Sequence, residues 1–412
     1  MNILFCGTNV PDKIEYNSRS ISAAGNRYQN NVISCLKEMG HTVCDLSYVR
    51  IPKEDGSASL SSEGRSCDSS ADIWEQSSYT ATTLTKRSIP ARIRAVKDFH
   101  KQIRECVERA DIVMSYNVHY AWLDLPTEAR IQGKRSAVFL ADYSGPECFK
   151  NPVRRIYAWK MKNAMRRYDV VIGLSKNIER YLRPDQRFIL LEGGIDKKVF
   201  DHFECENSEP DRQICACDKQ TRDHVISDGT NALTYMYSGL LSHVTGVDML
   251  LDAMKVLSDR NIRLVITGKG DLEDEVKKAA EEDSRITYAG HLEYDDYLNM
   301  LKKADVLVNP RSMDLPENQN NFPSKIMDYL SSGKRIISTR FAGYEKFSEC
   351  IDFIDSSAES LADAMNDISE KTLKISATQR KQEEDERYGC NRRFASQFLW
   401  VNELKNVIDE IM

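Results

Sequence analysis

The residues best suited to chemistry stand in one stretch, Asn320–Thr339, NNFPSKIMDYLSSGKRIIST. A helix starting here would aim unpaired N–H groups and the positive end of its dipole at whatever lies in front of it, which makes an anion site. Lys325 adds a full positive charge and Ser324 a hydroxyl. Asp328, four residues beyond Ser324, shares its helix face. A helix end, a cation and a hydroxyl suit a diphosphate, and a carboxylate one turn on suits ribose hydroxyls, so the set reads as a nucleotide site. The same pattern also fits an ordinary amphipathic helix. Ile326, Met327 and Leu330 would then face a core, and Lys325–Asp328 would be a surface pair of little weight.

The elements that must position these groups can be read around them. Pro323 suits a first helical turn, where its missing N–H breaks no bond, and Asn321 is placed to cap it. Gly333 ends the helix, and Arg335–Ser338 reads as a buried strand. Similar alternation runs through the chain. Asn2–Gly7 is predicted as a strand and Ala24–Met39 as a helix with Gly25 in its opening turn, followed by the strand Thr42–Leu46. This is a βαβ unit, though without the G-x-G-x-x-G of dinucleotide sites. Gly25 could let a backbone approach a ligand, or simply serve the turn. Lys53–Lys86 is polar and Ser-rich and reads as a long loop or flap. Further strands are predicted at 111–115, 137–140, 169–174 and 188–191, and after 231 at 233–238, 263–267, 286–289 and 306–308, with helices between them. The fold class is therefore α/β with two Rossmann-like parallel-sheet domains. We assign 1–200 to the first, 201–230 to a polar insertion that carries Cys215 and Cys217, and 231–390 to the second. Residues 391–412 are assigned to a single C-terminal amphipathic helix.

Bulk properties set limits. A chain of 412 residues is long for one core, and two domains are the expectation. Its formal net charge of −6 argues against a nucleic-acid binder held by phosphate contacts. The eleven cysteines are scattered, without paired Cys-x2-Cys spacing, which indicates neither zinc nor a disulfide framework but reduced, cytosolic thiols. No apolar run approaches the ~20 residues a membrane span needs, and the start shows no signal peptide. We expect a cytoplasmic protein. The stretch Arg154–Arg167, rich in Arg, Lys, Trp and Tyr, together with the basic segment 86–104, could touch anionic lipid at the inner face of the plasma membrane or could be a solvated face.

Several segments in order resemble the GT-B glycosyltransferases, specifically glycosyltransferase family 4, over nearly the whole chain. Tyr237–Asp248, YSGLLSHVTGVD, looks like that family's loop on the donor diphosphate, and brings Gly239 and His243. Ile266–Gly270, with Lys269, looks like its second glycine turn. Tyr288–Leu292, with His291, resembles the turn that holds the base. Asn309-Pro310-Arg311 through Ile337 resembles the signature region in a Phe-Pro-Ser-Lys variant, which draws in Arg311 and Phe322. Glu192–Asp196 is similar to the family's turn at the end of the first domain.

The resemblance implies two domains facing a cleft, a C-terminal helix over 391–412 that would return to the first domain, and a retaining, metal-independent, hexosyltransferase-like enzyme. It would need no cofactor beyond its nucleotide-sugar co-substrate. Its acceptor would be a glycan or polyprenyl-linked molecule, in bacterial surface polysaccharide or glycoconjugate biosynthesis. Lys325 and the Ser324 hydroxyl would serve the diphosphate with help from Lys269, while Asp328 would hold the ribose. His119 stands where the family often has a His near the donor sugar, although a satisfied surface His is the plain alternative. Asp142 is the acid candidate for an acceptor hydroxyl. Three positions depart from the pattern. The family's first acid is here Asn320, which would meet sugar hydroxyls, and its Arg and Lys on the diphosphate are here Leu240 and Thr245. Those departures keep two alternatives open: a non-catalytic nucleotide-binding relative, and a sugar-nucleotide epimerase of the same fold.

Overall fold

The structure, a computed structural model, describes residues 1–10, 22–52, 74, 78–84, 89–141, 143–204, 232–259, 261–316 and 318–411. The expected insertion after residue 204, the greater part of the expected flap, and Asp142 lie outside these residues.

The chain divides into two compact units, Met1–Gly194 with Trp400–Met412, and Ile195–Leu399. In the first unit the strands are β1 (Asn2–Gly7), β2 (Thr42–Pro52), β3 (Ser78–Leu84), β4 (Ile112–Tyr116), β5 (Arg135–Leu140), β6 (Val170–Gly173) and β7 (Arg187–Leu190). They lie in the order β3-β2-β1-β4-β5-β6-β7, with every pairing parallel. Parallel strands are covered on both faces, so they read as unbroken apolar runs. Ile3, Leu4, Phe5 and Cys6 are all fully buried in this way. β3 corrects part of the expected flap: Ser78–Leu84 pairs along β2 from Leu46↔Ser78 to Pro52↔Leu84. Its Tyr and Thr residues favour the extended chain, and that preference outweighs the polarity that had suggested a loop.

In the second unit the strands are β8 (Leu233–Ser238), β9 (Ile262–Thr267), β10 (Ile286–Tyr288), β11 (Val306–Asn309), β12 (Arg335–Thr339) and β13 (Asp352–Ile354). Their order is β10-β9-β8-β11-β12-β13, again all parallel. In both sheets the first strand lies inside, between its second and fourth. Loops leaving its carboxyl end and that of the fourth strand therefore diverge to opposite faces, and the crevice between them is where open α/β sheets bind ligands. In the second unit that crevice lies between the ends of β8 and β11.

The single C-terminal helix expected over 391–412 is broken. One helix covers Ala377–Ala395, a 3-10 turn covers Ser396–Phe398, and a second helix covers Trp400–Ile411. Leu399 is extended (ψ 132°), and the Phe398 carbonyl accepts from the Ile195 N–H at 2.7 Å instead of from a helical partner. Phe394 and Phe398 pack on Phe347 in the second unit (5.5 and 5.7 Å between rings). Trp400 packs edge-on against Tyr28 in the first unit at 4.9 Å. Each half of the segment thus follows a different core.

Candidate functional site

The crevice of the second unit is framed by three glycine turns stitched together through their backbones. After β8, the Gly239 N–H donates to the Thr267 carbonyl at 3.0 Å and the Leu241 N–H to the Lys269 carbonyl at 3.0 Å. After β9, the Gly268 N–H donates to the Gly290 carbonyl at 2.8 Å. Gly239 and Gly268 have φ of 134° and 139°, a region closed to other residues, and a Cβ on Gly268 would collide with the Gly239 carbonyl. These turns bring main chain, not side chain, to the crevice floor.

Opposite them the helix Lys325–Ser332 begins. Its start differs from the expected one. Ser324 is the capping position, in helical conformation and without a side-chain cap bond. Asn321 instead belongs to a turn, its N–H donating to the Asn318 carbonyl at 3.3 Å. The Ile326 and Met327 N–H groups are taken by the Pro323 and Ser324 carbonyls. The amides ahead of them, of Ser324 and Lys325, are the ones such a terminus presents.

Lys325 is the focus of the site. Its stem is partly exposed, but its Nζ is buried and has no hydrogen-bond partner. It lies 3.9 Å from the centre of the Tyr237 ring, and 3.2 Å from the point where a Cβ on Gly239 would stand. Burial, and then the like charge of Arg311, hold its pKa well below that of an ordinary lysine. Two cations near each other, one of them desolvated and unpaired, make a place that an anion would stabilise.

Arg311 is held by Asn318, whose Oδ1 accepts from its Nε; the Asn318 amide in turn donates to the Val244 carbonyl at 2.8 Å and the Ser312 carbonyl at 2.7 Å. Asn318 thereby ties the loop after β11 to the loop after β8. The Asn-rich run was visible in the sequence, but nothing there distinguished which Asn would do this. Asp328 accepts from the Tyr297 hydroxyl at 3.2 Å. Ser324, Lys269 and His291 are exposed. His243 is exposed and paired through Nδ1 with Asp248 Oδ2 at 2.8 Å, which raises its pKa.

The remaining residues singled out in the sequence are placed as follows. Phe322 is a core residue, buried against Phe341 (5.2 Å) and Phe347 (5.6 Å), because an aromatic ring gains more from that cluster than from an open loop. Asn320 is completely buried and turns no atom to solvent. Leu240 is 57% exposed, while the Thr245 hydroxyl folds back on the Leu240 carbonyl at 2.6 Å, so neither supplies charge. In the first unit, Gly25 is buried where a Cβ would meet the Tyr116 hydroxyl at 2.8 Å, which is a packing reason for glycine. His119 caps the 3-10 turn Tyr120–Trp122, its Nδ1 accepting from the Ala121 N–H at 3.2 Å, with its ring 4.1 Å from Tyr120 and 4.7 Å from Trp122.

Comparison with known proteins agrees with this frame. Residues 232–371, about a third of the chain, match the family of group 1 glycosyl transferases. No curated protein matches the chain by sequence. Among solved structures, a glycosyltransferase from Rickettsia africae ESF-5 is similar at a TM-score of 0.65 and 14% identity, over 99% of this chain and 97% of that one. Anabaena HepE in complex with UDP-glucose is similar at 0.65 and 13%, over 100% and 99%. Sucrose-phosphate synthase from Thermosynechococcus elongatus is similar at 0.66 and 14%, over 100% and 98%. The chain therefore has the α/β fold of the GT-B glycosyltransferases, and its second unit carries the group 1 sequence pattern. Among the described residues, no helix is long and apolar enough to cross a membrane.

Proposed function

We propose that the chain is a retaining, metal-independent glycosyltransferase that moves a sugar from a nucleotide-sugar donor to a glycan or lipid-linked acceptor in the making of a surface polysaccharide or glycoconjugate. The observation that carries the reading is the buried, unpartnered Lys325 Nζ beneath the Gly239 turn at the switch point of the second sheet. In this reading the donor diphosphate lies against Lys325, Arg311 and the Ser324 and Lys325 amides, Asp328 receives the ribose hydroxyls, and His291 lies toward the base. As the anomeric C–O bond breaks, its electron pair goes to the phosphate oxygen. The acceptor hydroxyl forms the new C–O bond, and its proton passes to the departing diphosphate oxygen. Charge growing on the diphosphate is met by two fixed cations in a place poor in water, where such stabilisation is strongest. Exposed Leu240 and inward-turned Thr245 favour a second reading, a homologue that binds nucleotide without transferring sugar.

The test is a thermal-shift and calorimetric panel of UDP, GDP, ADP and their sugar conjugates, with and without Mg2+, on wild type, Lys325→Met and Asp328→Ala. One base class should raise Tm by mass action. Lys325→Met should weaken that ligand by roughly ten- to a hundred-fold, the weight of a charge-assisted contact, and Asp328→Ala should weaken nucleosides and nucleotides alike.

The depressed pKa adds a signature. A nucleotide sugar has no group titrating near neutrality, so its binding should draw a proton onto Lys325 and weaken as pH rises above that depressed value. Without ligand, the unfolded chain keeps the lysine proton up to about pH 10.4, so stability should rise with pH between the two values. Both trends should flatten in Lys325→Met. If no nucleotide shifts wild type at millimolar concentration, the donor site is lost and the transferase reading with it. Tight binding with no turnover would leave the second reading standing.

A further inference from the structure

The helix Pro152–Met165 in the first unit turns an apolar surface to solvent. Val153 is 75% exposed, Ile156 59%, Tyr157 48% and Trp159 58%. Ten large apolar side chains are exposed among the described residues, and these are four of them. Scattered single residues of this kind need no explanation, but a contiguous group does. Val153, Ile156, Tyr157 and Lys160 follow at i, i+3, i+4 and i+7, a single stripe, and Trp159 widens it through its i+3 relation to Ile156. The helix is anchored on its other side, where Ala158 and Met165 are buried. Its apolar stripe is therefore in addition to the face that packs it.

The charge around the stripe has one sign. From Lys150 to Tyr168 the chain carries Lys150, Arg154, Arg155, Lys160, Lys162, Arg166 and Arg167 and no acid, within a protein of net charge −6. Arg166 and Arg167 are engaged by the fold, through the Tyr181 carbonyl and Asp124 respectively. Arg154, Arg155 and Lys160 are exposed beside the stripe. An apolar ridge with one Trp and one Tyr, flanked by cations, matches an anionic bilayer surface: the aromatic rings suit the headgroup level, and Arg and Lys suit the lipid phosphates.

We infer that the Pro152–Met165 helix docks the protein onto the surface of an anionic membrane, with Val153, Ile156, Tyr157 and Trp159 entering the headgroup boundary and Arg154, Arg155 and Lys160 meeting lipid phosphates. This stands independently of the donor site, since no nucleotide or acceptor is involved. It would keep a soluble chain at the surface where a lipid-linked acceptor resides.

The full-length protein reports its own docking. Trp74, Trp122 and Trp400 are buried, so Trp159 is the exposed tryptophan. Vesicles of phosphatidylcholine containing about 30% phosphatidylglycerol should sediment the protein roughly ten-fold better than phosphatidylcholine alone, and should shift tryptophan emission to the blue. Molar salt should reduce the sedimentation. Trp159→Phe should abolish the shift while retaining most of the sedimentation. Ile156→Asp, and separately the triple change Arg154→Glu, Arg155→Glu and Lys160→Glu, should each remove sedimentation. All of these sites are exposed, so far-UV circular dichroism and donor affinity should be unchanged.

Failure to bind either vesicle would overturn the inference, as would binding that Ile156→Asp leaves intact. A dimer in sedimentation velocity that Ile156→Asp dissociates, without vesicle binding, would overturn it by assigning the face to a second copy of the chain.

Discussion

The two sheets share the strand order 3-2-1-4-5-6 and close their crevices by different chemistry. In the first unit the described residues that follow β1, 8–10, are held by side chains. The Thr8 N–H donates to Gln29 Oε1 and the Val10 N–H to Asn26 Oδ1, both at 2.8 Å. The Asn9 amide donates to the buried carboxylate of Asp45, also at 2.8 Å, and Ser47 donates to Asn9 Oδ1. In the second unit the corresponding loop after β8 is held by backbone bonds through Gly239, Leu241 and Gly268. Among the described residues of the first edge, these amides and the Asp45 carboxylate are met by side chains. In the second, the Lys325 Nζ has no hydrogen-bond partner, and a buried, unpaired cation is what a charged ligand would satisfy.

The glycines at the two edges test this contrast, and the largest effect should come from Gly268. A Cβ there meets a backbone carbonyl that cannot swing aside, at a φ that disfavours any side chain. Gly268→Ala should cost the second unit about 3 kcal/mol or more and abolish nucleotide binding. At Gly7 a Cβ meets the buried Phe5 ring at 3.1 Å and, more closely, the ends of the Gln29 and Asn9 side chains. These can rotate, so Gly7→Ala should cost less, about 1–2 kcal/mol for the disturbed network. Urea unfolding of each variant beside wild type measures both. Equal losses would mean that the two edges are equally rigid and that the distinction drawn between them is false.

An intermediate effect is expected from Asp45. Burial pushes its pKa up to about 6, against the opposing pull of the Asn9 amide, the Lys37 charge and Ser47. An ordinary Asp titrates near 3.9, so the folded chain holds this proton more tightly than the unfolded one between about pH 4 and pH 6. Its contribution thus favours the fold below that window, declines as pH rises through it, and is lowest above it. The span is about 2–3 kcal/mol. Asp45→Asn keeps an acceptor for Asn9 and removes the charge. Stability above pH 6 should rise, and the variant-minus-wild-type difference should grow between pH 4 and pH 6. A difference constant with pH would show that Asp45 is ionised at no unusual cost.

The contrast also explains what the sequence could and could not disclose. Backbone-built features leave glycine and proline signatures, so the Gly239 and Gly268 turns with the strands they follow, and the Lys325 helix with the Gly333 that ends it, were legible. Features built from side chains at long range were not. Nothing local distinguishes Asn318, which bridges two loops, from Asn320, which is buried, or from Asn321, which stands at the position a helix cap would occupy. Phe322 carried a motif's prominence but answered to Phe341 and Phe347, which the chain reaches only later. The Asn9–Asp45–Ser47 network joins residues 36 and 38 positions apart, although a lone acid within the otherwise apolar Val43-Cys44-Asp45-Leu46 was a signal that something polar must face it. β3 was hidden by composition, its Thr-rich alternation resembling a loop until paired with β2.

The smallest expected effect concerns the charge the second crevice lacks. Leu240 follows Gly239 and is exposed, and its carbonyl is fixed by the Tyr237 hydroxyl at 2.7 Å as well as by Thr245. Its backbone course is therefore set by its neighbours, and Leu240→Arg should leave stability within about 0.5 kcal/mol, as exposed substitutions generally do. If the loop faces the donor diphosphate, the new guanidinium should tighten nucleotide binding by roughly three- to ten-fold at low salt. The gain should shrink as ionic strength rises, because an exposed charge is screened where the buried Lys325 is not. Titration calorimetry at low and high salt on the variant, beside Lys325→Met, separates the two. Unchanged affinity in Leu240→Arg with a large loss in Lys325→Met would confine the anion to the buried cation and turn the Leu240 side chain away from it. Unchanged affinity in both would remove the anion from this crevice and undo the contrast between the two sheets.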